Sequence, residues 1–443
     1  MRSFSRIHSC TRAAILSGAL CGASFPTVHA AELTADVAAD YARLESLFQH
    51  FHANPELSMQ EFKTSDRLAA ELAAEGYEVT RGIAKTGLVG ILRNGDGPVV
   101  MIRADMDGLP VQEKSGLPYA SRARQANLNG VDMPVMHACG HDLHMTTLVG
   151  VARQLKARLG DWRGTVMLLG QPAEENLDGA YTMVADNLYG RVGRPDYALA
   201  LHVISKYPAG KIAFTEGTMF SGADTVSIKV HGIATHGAAP HLGRDPIVVA
   251  SQIVLALQTI VTREISPLEP AIITVGSFHS GTASNIISDN ALLEITVRSN
   301  SEATRELLLK SIERVAINSA RAAGLPGDRL PEVKVAPHRS PVTVNDPGLA
   351  RRVRAAMQAN MPAASFTDWR QTDMGAEDFP YLVNASPPIP SVYFVVGGTP
   401  QADLDAGNWA GHHSPLFKID PEASIKAGVE AMTVAALELL GRP

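Results

Sequence analysis

The sequence predicts an α/β protein: a mainly parallel sheet with flanking helices, into which a ferredoxin-like α+β domain is inserted. Three observations carry this. Apolar strands alternate with amphipathic helices from residue 35 to residue 202. From Asp224 the order changes to β-α-β-β-α-β, and past about residue 340 the first pattern returns. Three apolar strands also run directly into chemically active side chains, at Asp107, Glu174-Glu175 and His202. In parallel sheets, ligands bind beyond the carboxyl ends of the strands.

In chain order, residues 35–53 show helical spacing, with Tyr41, Leu44 and Phe48 on one stripe and Asn54-Pro55 as the stop. A second helix begins within 58–72 and closes at Gly76. Strands follow at 88–92 and 99–103, then a helix at 143–159 and buried strands at 165–169 and 197–201. The inserted domain reads as strand 225–230, helix 244–262, strands 272–278 and 291–298, helix 301–323 and strand 332–335. Helix 347–360, strand 391–396 and helix 421–440 complete the first domain. The expected division is 31–223 with 337–443 for the first domain and 224–336 for the insert. A chain of 443 residues is expected to form more than one core.

The amino terminus reads as an export signal. Arg2, Arg6 and Arg12 precede the apolar run 13–23, and Val28-His29-Ala30 offers a small-x-small cleavage site. Leu20 stands where a lipidation signal at Cys21 would need a small residue, and Arg2 and Arg6 are not adjacent, as the twin-arginine route requires. The expectation is a periplasmic or secreted protein cut after residue 30, with no membrane contact afterwards and no later apolar run of membrane-spanning length. Removing three arginines takes the net charge from −6 to about −9, which disfavours nucleic-acid binding. Of the three cysteines, Cys10 and Cys21 lie in the removed segment. Cys139 is then a lone thiol in an oxidising compartment, and metal ligation would protect it.

Cys139 sits in Met136-His137-Ala138-Cys139-Gly140-His141-Asp142-Leu143-His144. One glycine separates thiol from imidazole, a spacing that lets both bend onto one ion. The plainer reading is a polar loop with an inert cysteine. Glu174-Glu175 follows a strand, so one carboxylate can bind metal while the other takes a proton from an activated water. Glu175 is assigned as ligand and Glu174 as base, against an exposed acidic turn. His202 is a strand-end ligand candidate or a core histidine. His412 and His413 are adjacent, and composition does not separate them. Asp107 fits a carboxylate that orients a ligand imidazole, and Asp105 fits the same role or a plain loop acid. His137, Asp142 and His144 have weaker claims, Asp142 as a helix cap. His236 lies in a small-residue loop suited to an oxyanion contact, or is a turn histidine. Asn285 and Arg298 flank the insert's third strand. Arg298 could grip a substrate carboxylate or be a surface charge.

Taken together, His52-Ala53-Asn54-Pro55-Glu56-Leu57, Arg103-Ala104-Asp105-Met106-Asp107, the Cys139 stretch, Gln171-Pro172-Ala173-Glu174-Glu175, Leu201-His202-Val203, His236 with Pro240-His241, Gly281–Asn285, Glu377-Asp378-Phe379 and His413-Ser414-Pro415 span nearly all of the mature chain. They resemble a family of two-metal amidohydrolases that includes hippurate hydrolase, N-acyl-amino-acid amidohydrolases and plant auxin-conjugate hydrolases. That family lies within the aminoacylase/carboxypeptidase metallopeptidase group. The resemblance implies two divalent ions per subunit, Mn2+ or Zn2+ with Ni2+ also occurring, held by Cys139, His141, Glu175, His202 and His413. It favours His413 over His412 and makes Glu174 the acid/base. It implies that the insert is a lid that forms a homodimer, with His236 reaching an active site, the partner subunit's. Ala234-Thr235 before His236 departs from the family's usual glycines and leaves the loop shape open. The expected function is cleavage of N-acyl or N-aroyl amino acids by a metal-activated water with Glu174 as base. A dipeptidase or carboxypeptidase on the same scaffold, and a non-catalytic exported metal-binding protein, are the alternatives.

Overall fold

In the computed structural model, which describes residues 30–442, the apolar runs form a seven-stranded sheet. Its order is Glu78–Ile83, Gly87–Asn94, Gly164–Gln171, Val99–Asp105, Tyr197–Pro208, Ser391–Thr399 and Ile212–Ala213. The four strands from Gly164–Gln171 to Ser391–Thr399 run parallel, and the pairings outside them are antiparallel. The sheet is therefore mixed, not mainly parallel. One reason is a hairpin that the sequence hides. Ile83 turns into Gly87 through Ala84 and Lys85, with φ of 50° and 72°, where such turns usually carry Asn and Gly.

Val99–Asp105, Gly164–Gln171 and Ser391–Thr399 are buried on both faces, which is why they read as largely apolar runs. The helices Ala30–Ala53, His141–Ala157 and Pro421–Leu439 pack against one another. His141–Ala157 is buried almost all round, and its residues contact Val99–Asp105 and Tyr197–Pro208. Three helices begin with aspartate before proline: Pro246–Thr259, Pro347–Asn360 and Pro421–Leu439. Asp245, Asp346 and Asp420 accept the N–H groups of Ile247, Leu349 and Ala423 at 2.9, 2.7 and 3.3 Å. The proline leaves no N–H unpaired. Loss of one such cap costs about 1 kcal/mol.

The second sheet has the order Ala271–Ser280, Asn290–Ser299, Gly222–His231, Glu332–Val335, antiparallel throughout. Pro246–Thr259 and Glu302–Ala322 pack on it and on each other, around a hydrophobic core separate from the first. Burial alternates along its central strands, so one face is covered and the other is not. Among the described residues, Pro246–Glu264 is long and apolar enough by length and composition to cross a membrane. This corrects the expectation that no such run follows the amino terminus. Val249, Ala250, Ile253 and Leu257 bury one side of that helix, while Val248 and Leu255 are exposed. The expected signal segment lies outside the described residues, apart from Ala30.

Candidate metal centre

The central feature is the turn into the His141–Ala157 helix. Gly140 has φ of +89°, and a Cβ there would meet Val203 Cγ1 at 2.2 Å. Glycine is needed both for the backbone angle and for the space. The helix begins at His141 rather than 143, so this histidine is locked in its first turn. Glu174 and Glu175 follow Gly164–Gln171 through Ala173, whose φ is also positive, at 50°. The buried Glu61 carboxylate accepts the Ala173 N–H at 2.9 Å and so holds that turn. His202 lies within the twelve-residue strand Tyr197–Pro208 rather than at a strand end. The expected end was wrong because Val203–Pro208 continues to pair with Ser391–Thr399.

These segments bring the expected ligands together. The ligand atoms of Cys139, His141 and His202 lie within 4.8 Å of one another, and so do those of Cys139, Glu175 and His413. Cys139 is common to both groups, as a thiolate shared by two cations would be. The hydrogen bonds also fix the ring tautomers. His141 Nδ1 lies 2.8 Å from the Asp107 carbonyl oxygen, and His202 Nδ1 lies 2.6 Å from that of Val203. Each Nδ1 therefore donates, and in the neutral ring that a bound cation requires each Nε2 carries the lone pair. His141 Nε2 and Glu175 Oε1 are buried without a hydrogen-bond partner among the described residues. Buried orphans among carboxylates, a thiol and imidazoles fit a divalent cation pair.

The charge balance points the same way. Burial pushes the Glu174 carboxyl well above its usual range, and Glu377, Glu175 and Asp378 add to it. Glu175 is pushed up to about 8, by burial first and then by Asp107 and Asp105 against the pull of His141. Burial opposes charge on His141, but Asp105 and Asp107 outweigh it and lift the ring to about 10. Cations beside these groups would reverse the pressure on the carboxylates.

Asp107 takes the expected orienting position. Its carboxylate lies 3.3 Å from His141 Nδ1 and accepts Ser58 Oγ–H at 2.6 Å and the N–H groups of Glu174 and Glu175 at 3.1 Å. Asp105 is no plain loop acid: it ends Val99–Asp105, fully buried, and binds Arg103 at 2.7 Å and His144 Nδ1 at 2.6 Å. Asp142 does not cap the helix from outside. It lies in the first turn and holds His52 Nδ1 at 2.7 Å, while Glu113 holds His52 Nε2 at 3.0 Å. His144 uses both ring nitrogens internally, on Asp105 and on the Val203 N–H. His137 is buried with neither nitrogen hydrogen-bonded among the described residues, and burial lowers it to about 4.

Sequence reasoning gave Arg103 no role, yet it anchors the site. Its guanidinium is fully buried and reaches Asp105, Glu377, Asp378 and Gln171. The available signal was a charge inside an otherwise apolar strand, since a buried charge has to be paired. Glu377 and Asp378 also gather beside Glu174.

The ligand groups open into a cavity of about 500 Å³. Phe220, Trp369 and Trp409 form part of its wall, and Arg298 lines it. Arg298 is half-buried, and its Nε donates to Thr296 Oγ1 at 3.2 Å. His236 and Asn285 are not brought into the cavity of their own chain. Both are exposed: His236 ends the short strand Thr235–His236, which pairs with Ile286–Ile287, and Asn285 directly precedes that partner, its carbonyl accepting the Gly237 N–H at 2.7 Å.

Comparison with known proteins agrees with this geometry. Residues 101–438 match the model of "Peptidase family M20/M25/M40". The Campylobacter jejuni protein named hippurate hydrolase is 37% identical over 304 residues, covering 68% of this chain and 75% of that protein. Thermostable carboxypeptidase 2 of Saccharolobus solfataricus is 34% identical over 393 residues, covering 87% of this chain and 93% of its own. Among solved structures, the Bacillus subtilis YXEP protein, described as a dinuclear metal binding peptidase from this family, superposes with a TM-score of 0.72 at 28% identity. The match covers 91% of this chain and 100% of that one.

Proposed function

Because the chain belongs to the M20/M25/M40 peptidase family, and is thus a metal-dependent amidohydrolase or peptidase, we propose that it cleaves the amide bond of N-acyl and N-aroyl amino acids of the hippurate type. The carrying observation is one cavity that combines two ligand groups sharing Cys139, the adjacent Glu174, an aromatic wall and an arginine that meets no carboxylate among the described residues. An N-aroyl amino acid presents the matching parts: a ring, an amide and a carboxylate.

Cys139, His141, Glu175, His202 and His413 would hold two divalent ions, with Mn2+, Zn2+ and Ni2+ as the candidates. When bound, such ions supply Lewis acidity and a water acidic enough to attack at neutral pH. Glu174 takes a proton from that water at a carboxylate oxygen. As the carbon–nitrogen bond breaks, it gives that proton to the leaving amine, so amide and water become carboxylate and amine. Arg298 grips the substrate carboxylate through two parallel N–H donors. Asp107 keeps His141 turned with Nε2 toward the site. The insert serves as lid and homodimer contact, and His236 of the partner subunit meets the oxygen that gains charge. Asn285, on the neighbouring loop, reaches the substrate from the same side. The mature protein begins after residue 30 and acts in the periplasm or outside the cell.

Glu174→Gln tests the assignment. Turnover of hippurate should fall about 10²–10⁴-fold with metal content retained; a fully active variant removes Glu174 from the mechanism. A carboxypeptidase reading draws on the Saccharolobus relative and on the same Arg298, which suits a peptide's terminal carboxylate equally well. Rates on hippurate and N-acetyl amino acids against dipeptides and longer peptides decide between them.

A further inference from the structure

His412 stands beside the proposed ligand His413 and is the more buried of the two. Its Nε2 lies 3.3 Å from the backbone nitrogen of Ser205, and a backbone amide can only donate. That nitrogen of His412 is therefore an acceptor without a proton. In a neutral imidazole the proton then sits on Nδ1. His412 Nδ1 lies 3.7 Å from Cys139 Sγ, within hydrogen-bond reach of a sulfur. Phe417 packs against the ring at 4.9 Å between centroids and holds its tilt.

His202 presents the opposite face to the same sulfur. Its Nδ1 is turned to the Val203 carbonyl, so a bare Nε2 lies 3.4 Å from Cys139 Sγ. One histidine offers a lone pair beside the thiol and the other offers an N–H.

We infer that His412 is a positioning residue that donates its Nδ1–H to the Cys139 sulfur, and that it is not itself a metal ligand. The inference rests on the proposed role of Cys139 as ligand. The bond would orient the sulfur lone pairs and draw charge from the thiolate, as groups behind metal ligands do. It also divides the adjacent histidines by role: His413 on the cation, His412 on the sulfur.

The test uses mature protein loaded with Co2+, whose thiolate-to-metal absorption band reports on the sulfur. His412→Phe removes the donor. His412→Asn keeps an N–H at nearly the position of Nδ1. The expected result is full cobalt content in both variants, with the band moved to longer wavelength in His412→Phe and restored in His412→Asn. Loss of cobalt from both variants would make His412 a ligand and overturn the inference. So would a band that moves in neither. A band missing from the unsubstituted protein would instead overturn the ligand role of Cys139, and with it this inference. Nitrogen-15 NMR of labelled histidines in the unsubstituted zinc-loaded protein reads the tautomer without any variant. A proton on Nε2 of His412 would contradict the argument outright.

Discussion

The two sheets of this molecule handle polar groups in opposite ways. Around the seven-stranded sheet, charged side chains are buried and tied to one another: Arg103 to Asp105, Glu377 and Asp378, and His52 to Asp142 and Glu113. Around the four-stranded sheet, one face and several large apolar side chains stay exposed, among them Val248, Leu255 and Ile286. His236 is exposed there too, and its ring Nδ1 accepts the Ala238 N–H two residues on. The first region is built to hold a fixed constellation. The second presents surface, and its histidine and Asn285 lie outside the cavity of their own chain; the proposed function assigns them to a partner's site.

This contrast can be broken at its rigid end first. Arg103→Met would strand three buried carboxylates, and loss of one partner from such a network costs about 3–5 kcal/mol. Denaturant unfolding should show that loss in the first domain, and a change below 1 kcal/mol would mean the network is not what holds the site. At the other end, His236→Ala should lower kcat by about 10²–10³-fold, the usual cost of an oxyanion donor, while metal content stays constant. Mixing this variant with Glu174→Gln sharpens the point. If His236 serves the partner's site, subunit exchange at equal amounts should restore about a quarter of normal activity, because half the dimers carry one complete site. No recovery after proven exchange would return His236 to its own chain or remove it from catalysis. The smallest effect is expected at Arg298, which belongs to the exposed sheet but reaches the cavity. Arg298→Ala should raise KM for hippurate by a factor worth about 1.5–3 kcal/mol with metal content unchanged. An unchanged KM would leave the carboxylate without its proposed partner.

The same contrast explains what could be read from the chain. Cys139, His141 and Glu174-Glu175 were legible because local spacing and apolar strands announce them. The β-α-β-β-α-β order of the insert was legible for a similar reason: each strand and helix is marked by spacing within a few residues. Arg103 was not, since Glu377 lies 274 positions away and no local pattern records the pairing. The hairpin at Ala84-Lys85 was hidden because neither residue type advertises a positive φ. Asp142 accepts the Leu143 N–H at 2.9 Å, but from inside the first turn, because Gly140 makes the turn that starts the helix two residues earlier than its spacing suggested. His412 and His413 looked alike because tautomers depend on partners that only the folded chain supplies.

The account depends most on two cations meeting at one sulfur. Crystals of the mature protein grown with Mn2+ or Zn2+, measured at that metal's absorption edge, test this directly. Two anomalous peaks are expected, both within bonding distance of Cys139 Sγ, one shared with His141 and His202 and the other with Glu175 and His413. A single peak, or peaks at which Cys139 takes no part, would contradict it.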